Sequence, residues 1–264
     1  MIFYLGTHLP NWLPRSPVPL FVSRRRLHGI KKLPRAAAPW ALDSGGFSEL
    51  NLFGTWTVNA SQYVNEVRRF IDEVGSMSWA AAQDWMCEPF VLKKTGKTVT
   101  EHQALTVDNY LDLMSKAPEL PWTPVIQGWA PRDYHDHVDE YRRRGIELSS
   151  LPVVGIGSVC RRQGTKAIEG LIRDLSAGGI KLHGFGFKKA GLPGLQQCFA
   201  SADSMAWSAT ARRTPVRLPG HVHTNCANCY EYAMQWRAEL VASLEHPAND
   251  DRQCVFRFGR QEAA

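Results

Sequence analysis

Acidic side chains recur at one kind of position in this chain. Asp43 follows the apolar run 39–42, Asp84 closes the run 79–84, and Asp203 lies in the run 201–206. Gln127 closes the run 124–127, Gly157 follows 153–156, and Gly186 lies near the end of 180–187. In a parallel α/β protein the C-terminal strand ends share one face, and active sites lie there. Three acids and an amide meeting on that face have three uses. They can hold a cation such as Mg²⁺. They can serve as acid and base. One can attack a sugar carbon while another is its acid/base partner. For any one acid alone, an Asp that only bonds backbone amides is the plainer reading. Recurrence at three strand ends favours chemistry.

A second cluster is local. His221-x-His223-x-x-Cys226-x-x-Cys229 places four nitrogen or sulfur donors within nine residues. That is the spacing of a structural zinc knuckle, with free thiols beside loop histidines as the alternative. His246 is a rival fourth ligand. A helix over 230–244 would carry it roughly 25 Å from Cys229, which argues against it. A closed four-ligand site is structural, so no catalysis is assigned to this Zn²⁺.

The elements that must position these groups follow from periodicity. Short apolar runs at 2–5, 20–22, 40–43, 79–84, 124–127, 153–156, 180–187 and 201–206 read as strands. Helices are expected from Asn59 to Gly75, from Thr100 with Gln103 at capping-box spacing, at 133–144, at 165–175 and at 192–199. The charge run Arg24-Arg25-Arg26 reads as solvated, and 93–97 as a basic loop. Strands alternating with helices mean parallel pairing through crossovers. The expected fold is α/β: a compact (β/α)8 TIM barrel, irregular where the first two crossovers are too short for regular helices, with an appended zinc-binding segment. A doubly wound open sheet is the competing fold. Residues 1–215 are expected to form the barrel, and 216–264 the zinc segment and a C-terminal helix packed on it.

Composition sets limits. The chain has 264 residues, 44% of them hydrophobic, enough for a core rather than disorder. Lys and Arg exceed Asp and Glu by 31 to 25, a net charge of +6 that permits a polyanionic partner. Of the six cysteines, four are scattered and two form the Cys226-x-x-Cys229 pair, which is not a secreted disulfide framework. There is no signal-peptide pattern at the N-terminus, and no run reaches the roughly 20 apolar residues of a membrane helix. A cytoplasmic protein with no membrane partner is expected.

Asp43-Ser-Gly-Gly-Phe47 resembles the Asp-Ser-Gly-Gly-Phe motif of tRNA-guanine transglycosylases, the queuine tRNA-ribosyltransferase superfamily. Val125-Ile-Gln127-Gly128, Gly155-Ile-Gly157, Gly184-Phe-Gly186 and Asp203-Ser204 with a distant Arg212 resemble its later motifs in order. The resemblance spans 40–230. It implies a transferase of the pentosyltransferase class, in which Asp203 attacks C1′ and expels guanine. Asp43 would be the general acid/base. Asp84 would hold guanine N1 and the 2-amino group, and Gln127 with the Gly157 amide would meet O6. Ser44, Gly45, Gly46, Phe47 and Gly186 would lie against the purine. The family's structural zinc uses Cys-x-Cys-x-x-Cys and a later His; here His221, His223 and Cys226 fall on the first three spacings, with Cys229 in place of the late His.

The chain is much shorter than the tRNA enzymes. It looks more like the compact DNA-modifying relatives of phages and bacterial modification clusters. DNA is therefore the expected substrate, with tRNA as the alternative, and a 7-deazapurine base as co-substrate. The resemblance leaves a homodimer or a partner protein open. Lys93, Lys94, Lys97, Arg161, Arg162, Arg212 and Arg213 flank the expected mouth as nucleic-acid-binding candidates. Trp85, Trp129 and Trp207 follow site residues; they either stack on a flipped base or pack the rim. Two readings compete with transglycosylation. One is a non-catalytic zinc-containing nucleic-acid-binding module. The other, a metal-dependent hydrolase, ranks last because no His-rich strand motif is present.

Overall fold

The computed structural model describes residues 1–160, 162–187, 194–214 and 217–245. Arg161, His246 and the first part of the expected helix at 192–199 lie outside the described residues.

The first half of the chain forms β1 (Ile2–Thr7), β2 (Leu20–Ser23), α1 (Arg24–Leu27), β3 (Trp40–Asp43), α2 (Gly46–Phe53), α3 (Ala60–Val74) and β4 (Met77–Ala81). Then come α4 (Pro89–Thr95), α5 (Val99–Lys116), β5 (Trp122–Thr123), β6 (Val125–Ile126) and α6 (Pro131–Arg143). The last part forms β7 (Val154–Ile156), α7 (Lys166–Ala177), β8 (Leu182–Gly184), β9 (Phe199–Ser204), α8 (Ala206–Arg213) and α9 (Tyr230–Glu245). Neighbouring strands all pair in parallel, in the order β5-β4-β3-β2-β1-β9-β8-β7-β6.

The two ends of that order are β5 and β6, which only Pro124 separates in sequence. Thr123 pairs with β4 and Val125 with β7. Pro124 has no N–H to give a ladder, but its carbonyl accepts from Gly155 N–H at 2.8 Å. The run 122–126 therefore bridges both edges and nearly closes the sheet. The result is an irregular TIM-type barrel, not an open doubly wound sheet.

Side chains alternate across the barrel wall with period two. Leu5, Val22, Leu42, Ala80, Ile126, Ile156, Leu182 and Ala202 face outward into one core with the helices. Tyr4, Phe21, Ala41, Trp79 and Val153 face inward and form a separate cluster on the barrel floor, with Phe185 against it. Two residues beyond Ala41 the inward position is Asp43, and two beyond Ser201 it is Asp203. The same period that buries the floor thus delivers carboxylates to the mouth.

The first crossover is only a 3-10 turn, Pro10–Trp12. Its outer face is covered from elsewhere. Trp12 stacks on Trp207 of α8 at 5.3 Å and meets Tyr230 of α9 edge-on at 5.1 Å. Trp236 of α9 lies 6.2 Å from Phe3 of β1.

Several local expectations are revised. The charge run Arg24–Arg26 is helical, and Arg24 is buried. The basic segment 93–97 is mostly the end of α4. α5 begins at Val99, one residue before Thr100, because the N-cap Thr98 and Glu101 cap it reciprocally at 3.2 Å and 2.7 Å. Gln103 instead turns inward and donates to the Gln127 carbonyl at 2.8 Å. The described part of 192–199 contains a 3-10 turn, Gln196–Cys198.

Helix α2 was not expected. Gly45 takes φ +85°, which favours glycine, and the helix starts at once. Its buried Glu49 accepts from Arg24 at 3.3 Å, from Arg25 at 2.5 Å, and from the Thr57 amide and hydroxyl at 3.0 and 2.6 Å. A buried carboxylate with this many donors is satisfied, and it pins the helix that follows Asp43.

Candidate active site

A cleft of about 650 Å³ opens at the C-terminal ends of the strands. Asp43, Ser44, Asp84, Gln127, Gly157 and Asp203 all line it, as do Gly46, Phe47 and Gly186. Its volume lies within the usual range for small-molecule sites.

Asp43 sits at the last position of β3. The Gly45 N–H and the Ser23 hydroxyl both donate to its carboxyl. Burial raises its pKa first of all. The nearby Asp203 charge also raises it, while the two donors and His183 oppose the rise. At neutral pH such a group holds a proton more readily than an ordinary aspartate, as a general acid must.

Asp84 lies beyond the end of β4, only 8% exposed. Ser44 Oγ donates to Oδ1 at 3.2 Å, and Gln127 Nε2 donates to Oδ2. Burial pushes this carboxyl up to about 7, the Asp43 charge adds to the rise, and Gln127 and Ser44 oppose it. Gln127 in turn faces Ser158, whose hydroxyl is 2.7 Å from Gln127 Oε1 and 2.8 Å from Glu88 Oε2. A hydroxyl has one proton, so it can satisfy only one of these acceptors at a time.

Asp203 is 5% exposed on β9. The Gly186 N–H donates to its Oδ1 at 2.9 Å. Gly186 takes φ +63°, in the region that favours glycine.

The expected role of the Gly157 amide is corrected. Its N–H donates to the Ile126 carbonyl at 3.0 Å, so it is spent on the sheet ladder. Gly157 matters for its missing side chain. A Cβ there would sit 2.1 Å from Gln127 Nε2 and displace the amide.

The aromatic expectations are also revised. Trp85 and Trp207 are buried among core residues. Trp129 lies under the Arg162 guanidinium, 3.9 Å from its carbon. None of the three lines the cleft, whereas Phe21, Phe47 and Phe185 do. Phe47 is 47% exposed.

The basic candidates divide. Lys93 and Lys94 are exposed on α4, and Lys97 is half-buried beyond it. Lys94 Nζ already bonds the Asn51 and Leu52 carbonyls. Arg162 donates inward to the Trp129 and Ser158 carbonyls. Arg212 and Arg213 are exposed at the end of α8, and Arg212 acts on His8 at the cleft. The cations that line the cleft itself are Arg25 and Arg26. They lie just beyond the end of β2, at the same strand-end face where Asp43 ends β3, a positional signal in the sequence that their charge obscured.

The cysteine–histidine segment lies against this mouth. His221, His223 and Cys229 place ligand atoms within 4.8 Å of one another. Cys226 Sγ is 3.1 Å from His223 Nε2. Backbone N–H groups point at both sulfurs, from Leu218 at 3.3 Å and from Tyr232 at 3.4 Å. Such donors stabilise thiolates, the form that binds a metal. The segment is tied to the barrel by Ser208 Oγ on the Ala227 carbonyl at 2.7 Å, and by Asn228 on His8 at 2.8 Å.

A TIM-type barrel with an acidic cleft at its strand ends is the class that fold and site define. The chain belongs to the DpdA family, DeoxyPurine in DNA protein A, which matches residues 1–260. No curated protein matches the sequence. The family's name places it in the modification of purines in DNA. Among the described residues, no helix is long and apolar enough to cross a membrane.

The Asp84 environment has a measurable consequence. Its folded pKa, about 7, lies above the roughly 3.9 of an unfolded aspartate. The folded state therefore binds more protons between those values, and stability falls as pH rises through that window. Asp84→Asn removes the effect. In chemical denaturation the variant should gain on wild type by at least ~2 kcal/mol from about pH 4 to about 7, with a constant gap above about 8. A gap that does not change across the window would show that Asp84 is not held protonated.

Proposed function

We propose that this protein exchanges guanine in DNA for a 7-deazaguanine derivative through a covalent aspartyl-glycosyl intermediate. The observation that carries the reading is the meeting of Asp43, Asp84, Gln127 and Asp203 in one cleft, in a chain of a DNA-purine family. The ordered motifs shared with tRNA-guanine transglycosylases support the same chemistry.

An oxygen of Asp203 attacks C1′ of the deoxyribose. The C1′–O bond forms as the C1′–N9 bond breaks, and its electron pair leaves with guanine. Asp43, whose raised pKa favours the protonated acid, supplies the proton that neutralises the departing base. The 7-deazapurine then gives its N9 proton to Asp43 and attacks C1′, and the Asp203 carboxylate leaves. Two inversions retain configuration, and the bond energy of one glycoside serves the other, so the exchange balances without ATP or a redox step. Asp84, which loses its proton as pH rises through about 7, in its ionised form accepts from N1–H and the 2-amino group of the purine. Gln127 Nε2 has two hydrogens, one directed to Asp84 and one for O6. The acids lie too deep for a stacked base, so the target guanine enters extruded from its strand.

The His221, His223, Cys226 and Cys229 set suits Zn²⁺ in its chemistry, with two imidazoles, two thiols and N–H donors on the sulfurs. Bound there, zinc supplies a structural cross-link beside the mouth.

Two experiments test these statements. DNA carrying labelled guanine should lose label when the protein and a 7-deazapurine are added, and tRNA should not. Asp203→Asn should abolish release while circular dichroism stays unchanged. Loss from tRNA alone points to the other polymer, and loss from neither removes the enzyme reading in favour of a binding module. For the metal, elemental analysis should find about one zinc per chain, lost in a Cys226→Ser, Cys229→Ser double variant that also melts earlier. Purified wild type without zinc, unaffected by a chelator, would contradict that site.

A further inference from the structure

His183 is the fully buried titratable group nearest the proposed chemistry, and no step described so far uses it. It points inward from β8 and is 0% exposed. Its ring stands among the floor aromatics, with centroids 4.6 Å from Trp79, 4.8 Å from Phe185, 5.4 Å from Phe21 and 6.0 Å from Tyr4. This nest fixes the plane of the imidazole. Its Nδ1 lies 2.8 Å from Ser201 Oγ. Its Nε2 has no hydrogen-bond partner among the described residues, and it faces Asp203 Oδ1 at 3.4 Å.

The tautomer follows from the neighbours. An ionised carboxylate only accepts, so the nitrogen that faces it carries hydrogen. The Ser201 hydroxyl then donates to Nδ1, and Nε2–H faces Asp203 Oδ1 across 3.4 Å, an electrostatic contact longer than a formed hydrogen bond. The Gly186 N–H already donates to the same Oδ1 at 2.9 Å. Both donors therefore act on one oxygen of the pair.

We infer that His183 is a positioning residue: with Gly186 it holds Asp203 Oδ1, so that Oδ2 is the oxygen that attacks C1′. The inference rests on Asp203 as the nucleophile. In the step itself, Oδ2 forms the bond to C1′ while the C1′–N9 pair departs with guanine. Oδ1 becomes the ester carbonyl and keeps both donors. His183 exchanges no proton. It restricts rotation of the carboxylate, and orientation of this kind is worth large factors in rate. The aromatic nest around the imidazole keeps its Nε2 facing that oxygen.

Two substitutions separate positioning from packing. His183→Leu keeps an apolar side chain in the nest but removes the donor. His183→Gln keeps an N–H at about the reach of Nε2. Formation of the covalent protein–DNA adduct would be followed by rapid quench on a guanine-containing oligonucleotide at varied DNA concentration, with thermal unfolding measured in parallel. His183→Leu should slow adduct formation at saturating DNA between about tenfold and a hundredfold, with half-saturation and melting temperature near wild type. His183→Gln should recover most of the rate. A full rate in His183→Leu overturns the inference while leaving Asp203 as nucleophile. So does a His183→Gln rate as low as that of His183→Leu with both proteins folded. Wild type that forms no adduct removes the nucleophile, and the positioning role with it.

Discussion

Three carboxylates crowded at one end of a barrel repel one another and resist leaving water. That electrostatic strain is what the surrounding structure is arranged to offset. Each acid has its own donors: Ser23 and the Gly45 amide for Asp43, Ser44 and Gln127 for Asp84, the Gly186 amide for Asp203. The compensation is incomplete at Asp43 and Asp84, and both carboxyls titrate above the ordinary range. Perturbed carboxyls of this kind suit the proposed division of labour, in which one group gives a proton beside another that attacks.

The donors are in place because of backbone features far from the acids in sequence. Gly157 leaves room for the Gln127 amide, since any Cβ would overlap it. Gly186 takes a positive φ and gives its N–H to Asp203 on β9. Glu49, buried under Arg24, Arg25 and Thr57, fixes the start of α2 and with it the Ser44–Gly46 turn. Closure at Pro124 brings Gln127 and Asp84 to neighbouring positions although 43 residues separate them. The proposed purine-recognition and catalytic groups thus depend on the same register.

Much of this was legible in the sequence. Asp43, Asp84, Gln127 and Asp203 stand at the ends of apolar runs, and the parallel topology implied by alternating elements makes those ends meet. What was not legible depends on distance across the fold. Ser158 and His183 gain meaning only from partners on other strands. Arg25 and Arg26 read as a solvated charge run because Glu49 and the cleft are not local to them. The short helix α2 hides behind two glycines, which signal a turn more strongly than a helix start. The Gly157 amide was misread because its ladder partner, Ile126, belongs to a strand that Pro124 interrupts. Of the two readings open for the tryptophans, packing holds: Trp85 and Trp207 are buried in core clusters, and Trp129 lies under Arg162.

The central claim is that this mouth replaces a purine in DNA. Nucleoside mass spectrometry of DNA and tRNA from cells with and without the protein, supplied with the 7-deazapurine, addresses it directly. The account predicts a deoxyribosyl 7-deazaguanine that appears in DNA only when the protein is present, with tRNA nucleosides unchanged. DNA of unaltered composition in the presence of folded protein and base, or a new nucleoside confined to tRNA, would contradict it.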